Sequence, residues 1–546
     1  MRTTRACLVS FALFAWSCGN AKLVVDGGGE GPDALDDDSY GITYYVRADG
    51  GDPDQCDGRT DAAYPGSGAA QPCAWAHPFH ALPPGGQPRI AGGDRVIIAA
   101  GDYRMGVGAP GAGACDPIGA WDCVTPAVPS GPDAAHPTRI VGAGYQDGCA
   151  EPPELWGAER ARHIFDLSGT EHARVECLEL TDHAGCVAFH SGGLACERDV
   201  TPYGDWAEDG LVAVDSSDVT LRNLDVHGFS HGGLFVGRLR DWTLEDVRIA
   251  GNGMVGWDGD VDGDDGNQGT MRFRRVTIEW NGCVETWPDG DPAGCWAQEA
   301  GGYGDGLGTG ETGGDWIIED STISHNTSDG LDLLYHRLGG SIRIERVRAE
   351  GNAGNQIKTT GNAAIVNSVV IGNCGYFTDK PFTYLVDACR AVGNTLSLFA
   401  DAGQQVELTN NTVYAEGDCL ILSEGDCAGP STVRSRNNIY VGDTDYLQPD
   451  DISCFYYTEC SATQFEWDHD LVFRVKDGVC PPGEQNLCAD PRFQDPDPEQ
   501  FDGRLQSGSP ARDSGLPVGD GIPAVDIDGN PRPAGAGTDR GAYESP

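Results

Sequence analysis

Four charged residues in the middle of the chain have the types and the spacing of a metal-assisted catalytic site. They lie in GDGLGTG, NTSDGLDLL and GNQIKTTGN and are Asp305, Asp329, Asp332 and Lys358. Steps of 24 residues from Asp305 to Asp329 and of 26 from Asp332 to Lys358 suit successive turns of a coiled chain. Carboxylate oxygens are good calcium ligands, and a lysine can serve as a general base. The pattern therefore predicts a calcium site beside a proton acceptor, although an aspartate in a Gly-rich turn can also simply cap that turn.

A second acidic segment lies upstream, in WDGDVDGDDGNQGT at 257–270. Asp258, Asp260 and Asp262 form the DxDxDG start of an EF-hand-like loop, but the twelfth position is Gly269 instead of a glutamate, which argues against an EF-hand. Because so many like charges in one loop repel each other, we expect a second, structural calcium ion here. A solvated acidic loop is the alternative.

An eight-residue pattern of alternating apolar and polar residues recurs along the chain. Its copies are ARVECLEL (173–180), VTLRNLDV (219–226), WTLEDVRI (242–249), MRFRRVTI (271–278), WIIEDSTI (316–323), IRIERVRA (342–349), AIVNSVVI (364–371) and VELTNNTV (406–413). Alternation with a period of two predicts a β-strand in each copy, and Asn or Gly follows most copies. Successive copies start 46, 23, 29, 45, 26, 22 and 42 residues apart, which corresponds to one or two turns of a solenoid in each step.

Repeated strands of this kind bury their apolar faces by stacking in parallel. The sequence contains no LxxLxL frame of a leucine-rich repeat, and a propeller would need more strands in each repeat. We therefore predict an all-β fold, a right-handed parallel β-helix (solenoid) over residues 41–485, with the asparagines that follow the strands forming an internal ladder. Residues 486–546 are expected to form a small C-terminal capping module, since an open end strand invites edge-to-edge association.

The two ends of the predicted solenoid resemble known proteins. TYYVRADGGDPDQC (43–56), GDRVIIAAGDYR (93–104) and HPTRIVGAG (136–144) resemble the opening coils of bacterial exported β-helix proteins. The end of the chain, from ADPRFQDP (489–496) to GAYE (541–544), resembles the C-terminal module of bacterial surface β-helix proteins.

The central motifs resemble those of the family-nine polysaccharide lyases, the β-helix pectate lyases. The DGF-type, SDDGxDL and NGxKLGG coils of that family correspond to GDGLG, SDGLDL and NQIKTTG in this chain. The resemblance implies that the three aspartates bind calcium and that Lys358 is the base that starts β-elimination from a polyuronate. One aspartate of the family pattern is Ser328 here.

Three arginines are candidates for binding the carboxylates of such a substrate. Arg343, Arg346 and Arg348 alternate along the copy IRIERVRA and are expected to point outward from its strand. An ordinary solvated strand face is the alternative. Trp280, Trp287 and Trp296 lie in or beside a long insertion near the predicted groove, where aromatic rings can stack on sugars.

The first forty residues predict export. Residues 1–17 contain Arg2 and Arg5 before an apolar run that is too short to span a bilayer, which is typical of a signal peptide. Cleavage before Cys18, with lipidation of that cysteine, would give an outer-membrane or cell-surface bacterial lipoprotein, and ordinary cleavage would give a secreted one. Residues 18–40 are rich in Gly and Asp, as in a flexible tether.

The cysteines fit an exported protein. Besides Cys7 and Cys18 there are 18 cysteines, an even number, which indicates disulfides that staple loops. Sequence neighbours suggest local pairs at Cys115/Cys123, Cys283/Cys295, Cys374/Cys389, Cys419/Cys427, Cys454/Cys460 and Cys480/Cys488. The connectivity stays open at this stage.

The formal net charge of −48 restricts the partners. Nucleic acids and anionic membranes attract basic surfaces, so neither is expected, and membrane contact would occur only through the lipid anchor. The predicted function is calcium-dependent cleavage of an acidic polysaccharide by a monomeric lyase. A glycoside hydrolase of the polygalacturonase type lacks its full motif set here, whereas a non-catalytic surface protein that binds glycans or acts as an adhesin remains the main alternative.

Overall fold

The chain winds into coils of two or three strands each, and a computed structural model describes most of it. The described residues are 41–113, 115, 123–159, 161–188, 194–197, 204, 206–261, 266–295, 304–373, 376–377, 394–444 and 450–546. The predictions for the signal peptide, Cys18, the tether, Asp262, Trp296 and the pair Cys374/Cys389 lie outside these residues. No helix among the described residues is long and apolar enough to cross a membrane.

Most coils contribute two strands to one large sheet, and a few contribute one long strand, such as Ser217–His227. In the described part of the chain it has 23 strands, and those that pair with one another run parallel. They are β1 Thr43–Gly51, β2 Arg95–Ile98, β3 Asp102–Met105, β4 Thr138–Gly142, β5 Glu154–Gly157, β7 Glu171–Asp182, β9 Ser217–His227, β11 Arg240–Ala250, β13 Gln268–Arg274, β14 Thr277–Glu279, β18 Asp315–Glu319, β19 Thr322–Ser324, β21 Ile342–Glu345, β22 Arg348–Glu350, β24 Ala363–Val366, β25 Val369–Asn373, β27 Gln405–Thr409, β28 Thr412–Glu416, β30 Thr432–Arg436, β31 Ile439–Gly442, β33 Gln464–Asp468, β34 Leu471–Phe473 and β35 Leu487–Cys488.

The third strand of each coil belongs to a sheet of ten parallel strands within the described ranges. These strands are β6 Ala161–Asp166, β8 Ala207–Val214, β10 Gly232–Gly237, β12 Val255–Gly259, β17 Leu307–Thr309, β20 Leu331–Leu333, β23 Ile357–Thr360, β26 Leu396–Phe399, β29 Cys419–Glu424 and β32 Cys454–Thr458. Two antiparallel hairpins, β15 Val284–Thr286 with β16 Asp291–Ala293 and β36 Phe493–Asp495 with β37 Asp502–Leu505, lie outside the solenoid. Within the described ranges, short 3₁₀ turns occupy Pro78–His80 and Lys476–Gly478.

The repeated octets are confirmed as strands, but most of them cover two strands and not one. WIIEDSTI, for example, runs through β18 and β19, and a corner separates these two strands. Asp320 at this corner has φ 52°, and Arg346 and Asn367 take the same left-handed conformation in the next two coils. Glu319 and Asp320 are adjacent outward-facing residues, so the alternation shifts by one residue at the corner and then resumes with buried Ser321 and Ile323.

The interior of the coils is apolar and close-packed. The inward side chains of all three strands form one continuous cluster of buried residues from Tyr44 to Val475. Aromatic rings pack along it: Trp257 meets Phe273 edge to face with centroids 5.2 Å apart, and Phe273 stacks on Trp316 with centroids 5.7 Å apart. Full burial of such rings supplies much of the hydrophobic free energy that holds the coils together.

The predicted internal asparagine ladder is confirmed. Asn252, Asn281, Asn326 and Asn352 follow the last strand of the large sheet in four successive coils and are fully buried. The amide Nδ2 of Asn281 donates to Oδ1 of Asn326 over 2.9 Å, and Nδ2 of Asn326 donates to Oδ1 of Asn352 over 2.8 Å. The ladder satisfies buried polar groups at the turn that leads into the ten-stranded sheet.

Eight disulfides lie within the described residues. They are Cys56–Cys73, Cys115–Cys123, Cys149–Cys177, Cys186–Cys196, Cys283–Cys295, Cys419–Cys454, Cys427–Cys460 and Cys480–Cys488. The local pairs Cys115/Cys123, Cys283/Cys295 and Cys480/Cys488 are confirmed. The predicted pairs Cys419/Cys427 and Cys454/Cys460 are wrong. Cys419 and Cys427 belong to one coil and Cys454 and Cys460 to the next, and each disulfide joins one coil to the other. Cys419 and Cys454 are register partners on β29 and β32, so the bond joins neighbouring coils.

The C-terminal segment packs along the side of the last coils and belongs to the same compact unit as the solenoid. Phe501 contacts Tyr414 of β28, with ring centroids 5.4 Å apart, within a second apolar cluster. The guanidinium of Arg532 donates to Asn367 Oδ1 over 3.2 Å. The segment therefore covers the outer face of several coils in addition to following the last one.

Candidate active site

The four charged residues of the central motifs converge at one place in the structure. Asp305 and Asp329 each lie two residues before a strand of the ten-stranded sheet, β17 and β20. Asp332 on β20 is the register partner of Lys358 on β23. Because neighbouring strands lie about 4.8 Å apart, residues one coil apart in sequence become neighbours in space.

The three aspartates form a compact acidic cluster. Ligand-type oxygens of Asp305, Asp329 and Asp332 all lie within 4.8 Å of one another, and it is the one such group of three metal-ligating side chains found among the described residues. Asp305 and Asp329 are each 2% exposed. The backbone N–H of Asp329 donates to Asp305 Oδ1 over 2.9 Å, so the turns of the two coils hold each other in place.

Lys358 bridges two of these carboxylates. Its Nζ donates to Asp329 Oδ2 over 2.9 Å and to Asp332 Oδ2 over 2.7 Å. The side chain is 15% exposed, so the ammonium lies at the surface of the cluster and not beneath it. A group at this position can meet a ligand that approaches along the sheet.

Burial and charge shift the pKa values of these groups in opposite directions. Burial, reinforced by Asp329 and Asp332, raises the pKa of Asp305 to about 7. Burial also raises the pKa of Asp332, whereas the pKa of Asp329 is lowered because its contacts with Lys358 and Asn355 outweigh burial. For Lys358, burial favours a lower pKa, but the attraction of Asp329 and Asp332 outweighs it and raises the pKa. Three carboxyl groups thus share a single ammonium, and a divalent cation bound there would favour the ionised form of all three.

The residues present fit a calcium ion. All three charged ligands are carboxylates, the hard oxygen donors that calcium prefers. Asn355, which the sequence analysis missed, donates to Asp329 Oδ1 from its backbone N–H over 2.6 Å and from Nδ2 over 2.8 Å. Its Oδ1 is buried without a hydrogen-bond partner and is available as a further oxygen ligand. The available signal was its position three residues before Lys358 and 26 residues after Asp329.

Ser328 occupies the position of the missing family aspartate and contributes to the cluster in a different way. It is fully buried, and its side chain hydrogen-bonds to the carboxylate of Asp305. A hydroxyl is a neutral ligand or donor, so the site has one negative charge fewer than the family pattern implies.

The second acidic segment borders the same sheet. Asp258 on β12 aligns with Gly308 on β17, which aligns with Asp332, so Asp258 lies two strands away from the aspartate cluster. Its Oδ1 accepts from the backbone N–H of Asp260 over 3.0 Å, which closes a local turn. In the described part of this loop, which ends before Asp262, no group of three metal ligands is found. The second calcium ion therefore stays a prediction.

The structure does not bring the three arginines to the aspartate cluster. Arg343, Arg346 and Arg348 lie on or between β21 and β22 of the large sheet, whereas the cluster lies on the ten-stranded sheet. Each forms ion pairs with acidic groups near its own strand: Arg343 with Glu345, Arg346 with Asp320 and Glu345, and Arg348 with Glu350. The surroundings of Arg343 and Arg346 are those of an ordinary strand face, whereas Arg348 also donates to the carbonyl of Phe501 in the C-terminal segment. The alternation within an octet predicts a strand, but it does not show whether that strand belongs to the sheet that carries the aspartate cluster.

Comparison with known proteins supports the fold. A family model described as "Right handed beta helix region" matches residues 205–379, which include the cluster. A search of curated proteins gives no match.

Among solved structures, the pectate lyase Pel9A shares 14% identity over 92% of this chain and 96% of that one, with a TM-score of 0.43. The A-module of the Azotobacter vinelandii mannuronan C-5 epimerase AlgE4 shares 13% identity over 72% and 91%, with a TM-score of 0.37. An alginate lyase from Paenibacillus sp. str. FPU-7 shares 13% over 69% and 92%, with a TM-score of 0.32. The family match and the stacked parallel sheets together identify the chain as a right-handed parallel β-helix.

Proposed function

We propose that the protein is a calcium-dependent lyase that cleaves a polyuronate by β-elimination. The observation that carries the proposal is the contact of Lys358 Nζ with both Asp329 and Asp332, beside the buried Asp305. A base next to a cluster of hard ligands is the combination that proton abstraction beside a carboxylate requires.

The chemistry assigns a distinct role to each group. Asp305, Asp329 and Asp332 would hold the cation, with Asn355 as an additional oxygen ligand. When bound, calcium would draw charge away from Asp329 and Asp332, which lowers the pKa of Lys358, and would stabilise the negative charge that develops on the uronate.

Lys358 then accepts the proton from the ring carbon that bears the carboxylate. The electron pair of that C–H bond forms a carbon–carbon double bond, and the bond from the next carbon to the glycosidic oxygen breaks. The departing sugar oxygen takes a proton from solvent, so the products are one unsaturated and one ordinary chain end.

The test combines calcium removal with a change of the base. Polygalacturonate and alginate are offered to the wild type with calcium and with EDTA, and the ultraviolet absorbance of the new double bond is followed. We expect activity with calcium on at least one substrate, loss in EDTA, and loss of about 10³-fold or more in Lys358→Ala. Lys476→Ala changes an exposed lysine that pairs with Asp451 and serves as the matched control, with unchanged activity expected.

Calcium binding gives a second readout that does not depend on turnover. Titration calorimetry should show a site in the wild type that weakens strongly in Asp329→Asn. Unchanged turnover in Lys358→Ala would refute the role of the base, and ordinary saccharide ends without a double bond would indicate hydrolysis. Binding of polyuronate without cleavage would support the non-catalytic alternative.

We further propose that the chain is exported, either lipidated at Cys18 or secreted. The disulfides support this proposal because such bonds persist in oxidising compartments. Fractionation of a bacterial host that produces the wild type and Cys18→Ser tests it. Membrane association in the wild type alone indicates lipidation, and full retention of both in the cytoplasm would contradict export.

A further inference from the structure

A disulfide-closed hairpin presents Trp287 on the outside of the solenoid. Strands β15 and β16 form the hairpin, and Cys283–Cys295 joins its two ends. The backbone N–H of Gly290 donates to the carbonyl of Thr286 over 2.7 Å and closes the tip that contains Trp287. The hairpin is therefore closed at both its base and its tip, and Trp287 lies at the tip.

Glu285 fixes the hairpin to the coils. Its carboxylate accepts from His227 Nδ1 over 2.8 Å and pairs with Arg248, and its side chain is 6% exposed. The backbone N–H of Glu285 donates to the carbonyl of Gly251 over 2.8 Å. Because the anchoring group is buried and multiply bonded, the position of the tip is set by the solenoid.

Trp287 is the outermost ring of a stack of three. Its ring centroid lies 4.2 Å from that of His183 at an interplanar angle of 21°, and His183 lies 4.2 Å from Trp156 at 14°. Trp287 is nevertheless 55% exposed, and among the tryptophans in the described ranges it alone is an exposed large hydrophobic residue. The other two insertion tryptophans differ: Trp280 packs against His325, and Trp296 lies outside the described residues.

A polar cleft of ≈ 170 Å³ opens beside this ring. Glu154, Glu179, Thr181 and His227 line it together with Glu285 and Trp287. Glu154 pairs with His183 and Glu179 with His227, each through one carboxylate oxygen. Their side chains are 21% and 33% exposed, so both can still accept hydrogen bonds from a ligand.

We propose that this cleft is a glycan-binding subsite in which a neutral hexopyranose stacks on Trp287 and donates hydroxyl hydrogen bonds to Glu154 and Glu179. An exposed indole held flat by a ring stack matches the apolar face of a sugar. Two adjacent carboxylates are strong acceptors for hydroxyls, and they repel a polyuronate. The subsite lies on the large sheet and its hairpin, so it goes beyond the proposed lyase site and does not depend on it.

The experiment measures binding of defined hexasaccharides by titration calorimetry. Cellohexaose, mannohexaose and maltohexaose are the neutral probes, each built of hexopyranoses, and hexagalacturonate is the acidic one. We expect at least one neutral probe to bind, and Trp287→Ala to weaken that binding about tenfold or more. Trp287→Phe keeps a ring and is expected to retain binding within about threefold.

Two controls make the result specific. Tyr457→Ala removes an aromatic residue that is 53% exposed on β32, away from the cleft, and should leave binding unchanged. Lys358→Ala should also bind normally, which separates this subsite from the lyase site. The bound sugar should reduce acrylamide quenching of the wild-type fluorescence. The proposal is overturned if no neutral probe binds, if Trp287→Ala binds as tightly as the wild type, or if hexagalacturonate alone protects Trp287.

Discussion

At the scale of single residues, Lys358 and its carboxylate partners determine what the site can do. Asp329 and Asp332 stabilise the ammonium form and raise the pKa of Lys358, although burial alone would lower it. The same two carboxylates are the proposed cation ligands. Occupation by a cation and the release of Lys358 as a free base are therefore linked through shared oxygens.

The first prediction concerns the pH dependence of cleavage. Because a protonated lysine cannot accept the substrate proton, kcat/KM in saturating calcium should rise with pH over the alkaline range. Less calcium should shift this rise to higher pH, since Asp329 and Asp332 then hold the ammonium more strongly. Initial rates across pH at two calcium concentrations measure the shift. Lys358→Arg is the control and should be inactive throughout, because its guanidinium stays protonated. A rate that falls as pH rises would contradict the assignment.

A second prediction concerns Asp470, a fully buried acid in another polar ladder. Its Oδ1 accepts from the backbone N–H of Asn438 over 2.9 Å, and its own N–H donates to Asn486 Oδ1 over 2.8 Å. Burial raises its pKa to about 7, and Oδ2 has no hydrogen-bond partner. The stability associated with the protonated form is therefore complete below the unfolded pKa of about 4 and is lost as the pH rises to about 7.

Asp470→Asn should consequently stabilise the protein at alkaline pH and not at acid pH. We expect a gain on the order of 2–4 kcal/mol at about pH 8 and little difference at about pH 4. Denaturant unfolding at both pH values measures it. Asp477→Asn changes an exposed aspartate and should have no such effect. An equal gain at both pH values would mean that titration of Asp470 is not the cause.

At the scale of elements, the turn before each strand of the ten-stranded sheet joins the fold to the site. Asn326 lies in the buried ladder, and three residues later Asp329 enters the acidic cluster. The ladder therefore fixes the backbone from which the ligands project. Strands as short as Leu331–Leu333 cannot do so alone, because three residues provide few hydrogen bonds.

The third prediction tests this coupling with Asn326→Ala. The substitution removes the acceptor of the Asn281 backbone N–H and Nδ2 and one donor to Asn352 Oδ1, so the free energy of unfolding should fall by about 2–4 kcal/mol. Calcium affinity should fall as well, because the turn to Asp329 loosens. Denaturant unfolding and calorimetry measure the two effects. Asn362→Ala changes an exposed asparagine and is the control. If Asn326→Ala lowers the free energy of unfolding no more than this control does, the ladder has no structural role.

At the scale of the whole molecule, the C-terminal segment ties several coils together. Arg532 pairs with Glu544 at 2.8 Å, and both side chains are fully buried. Arg532 also donates to Asn367 on the solenoid. Asn410 and Asn437, at the corners of later coils, donate to backbone carbonyls of the same segment. One short segment thereby connects coils that otherwise contact only their neighbours.

The fourth prediction is that Arg532→Ala releases this segment. Removing one partner of a buried ion pair should cost about 3–5 kcal/mol, because Glu544 is left buried and unpaired. Limited proteolysis with mass spectrometry should then show early cleavage after residue 486. Arg504→Ala removes an exposed arginine that pairs with Asp528, so its digestion pattern should match the wild type. The double variant Arg532→Met/Glu544→Leu should recover part of the stability, and no recovery would argue against the unpaired charge as the cause.

The sequence by itself determined the solenoid and the residues that meet on it. Alternation marks strands because side chains point to opposite faces, and a spacing near one coil places Asp305 beside Asp329 and Asp332 beside Lys358. The alternation is a local pattern and the spacing is a periodic one, so both can be read without knowing the folded structure. The asparagine ladder followed for the same reason, since each Asn occupies the same position in its coil.

The tertiary structure decided what depends on the contacts between coils. The third strand of the coil was missed because segments such as Leu307–Thr309 are too short for a periodic pattern. The partners of Cys419 and Cys427 depend on the register between neighbouring coils, and sequence distance does not show it. Which sheet displays Arg343, and which tryptophan remains exposed, likewise depends on where the chain turns. These properties require the folded coil because they arise between segments that only folding brings together.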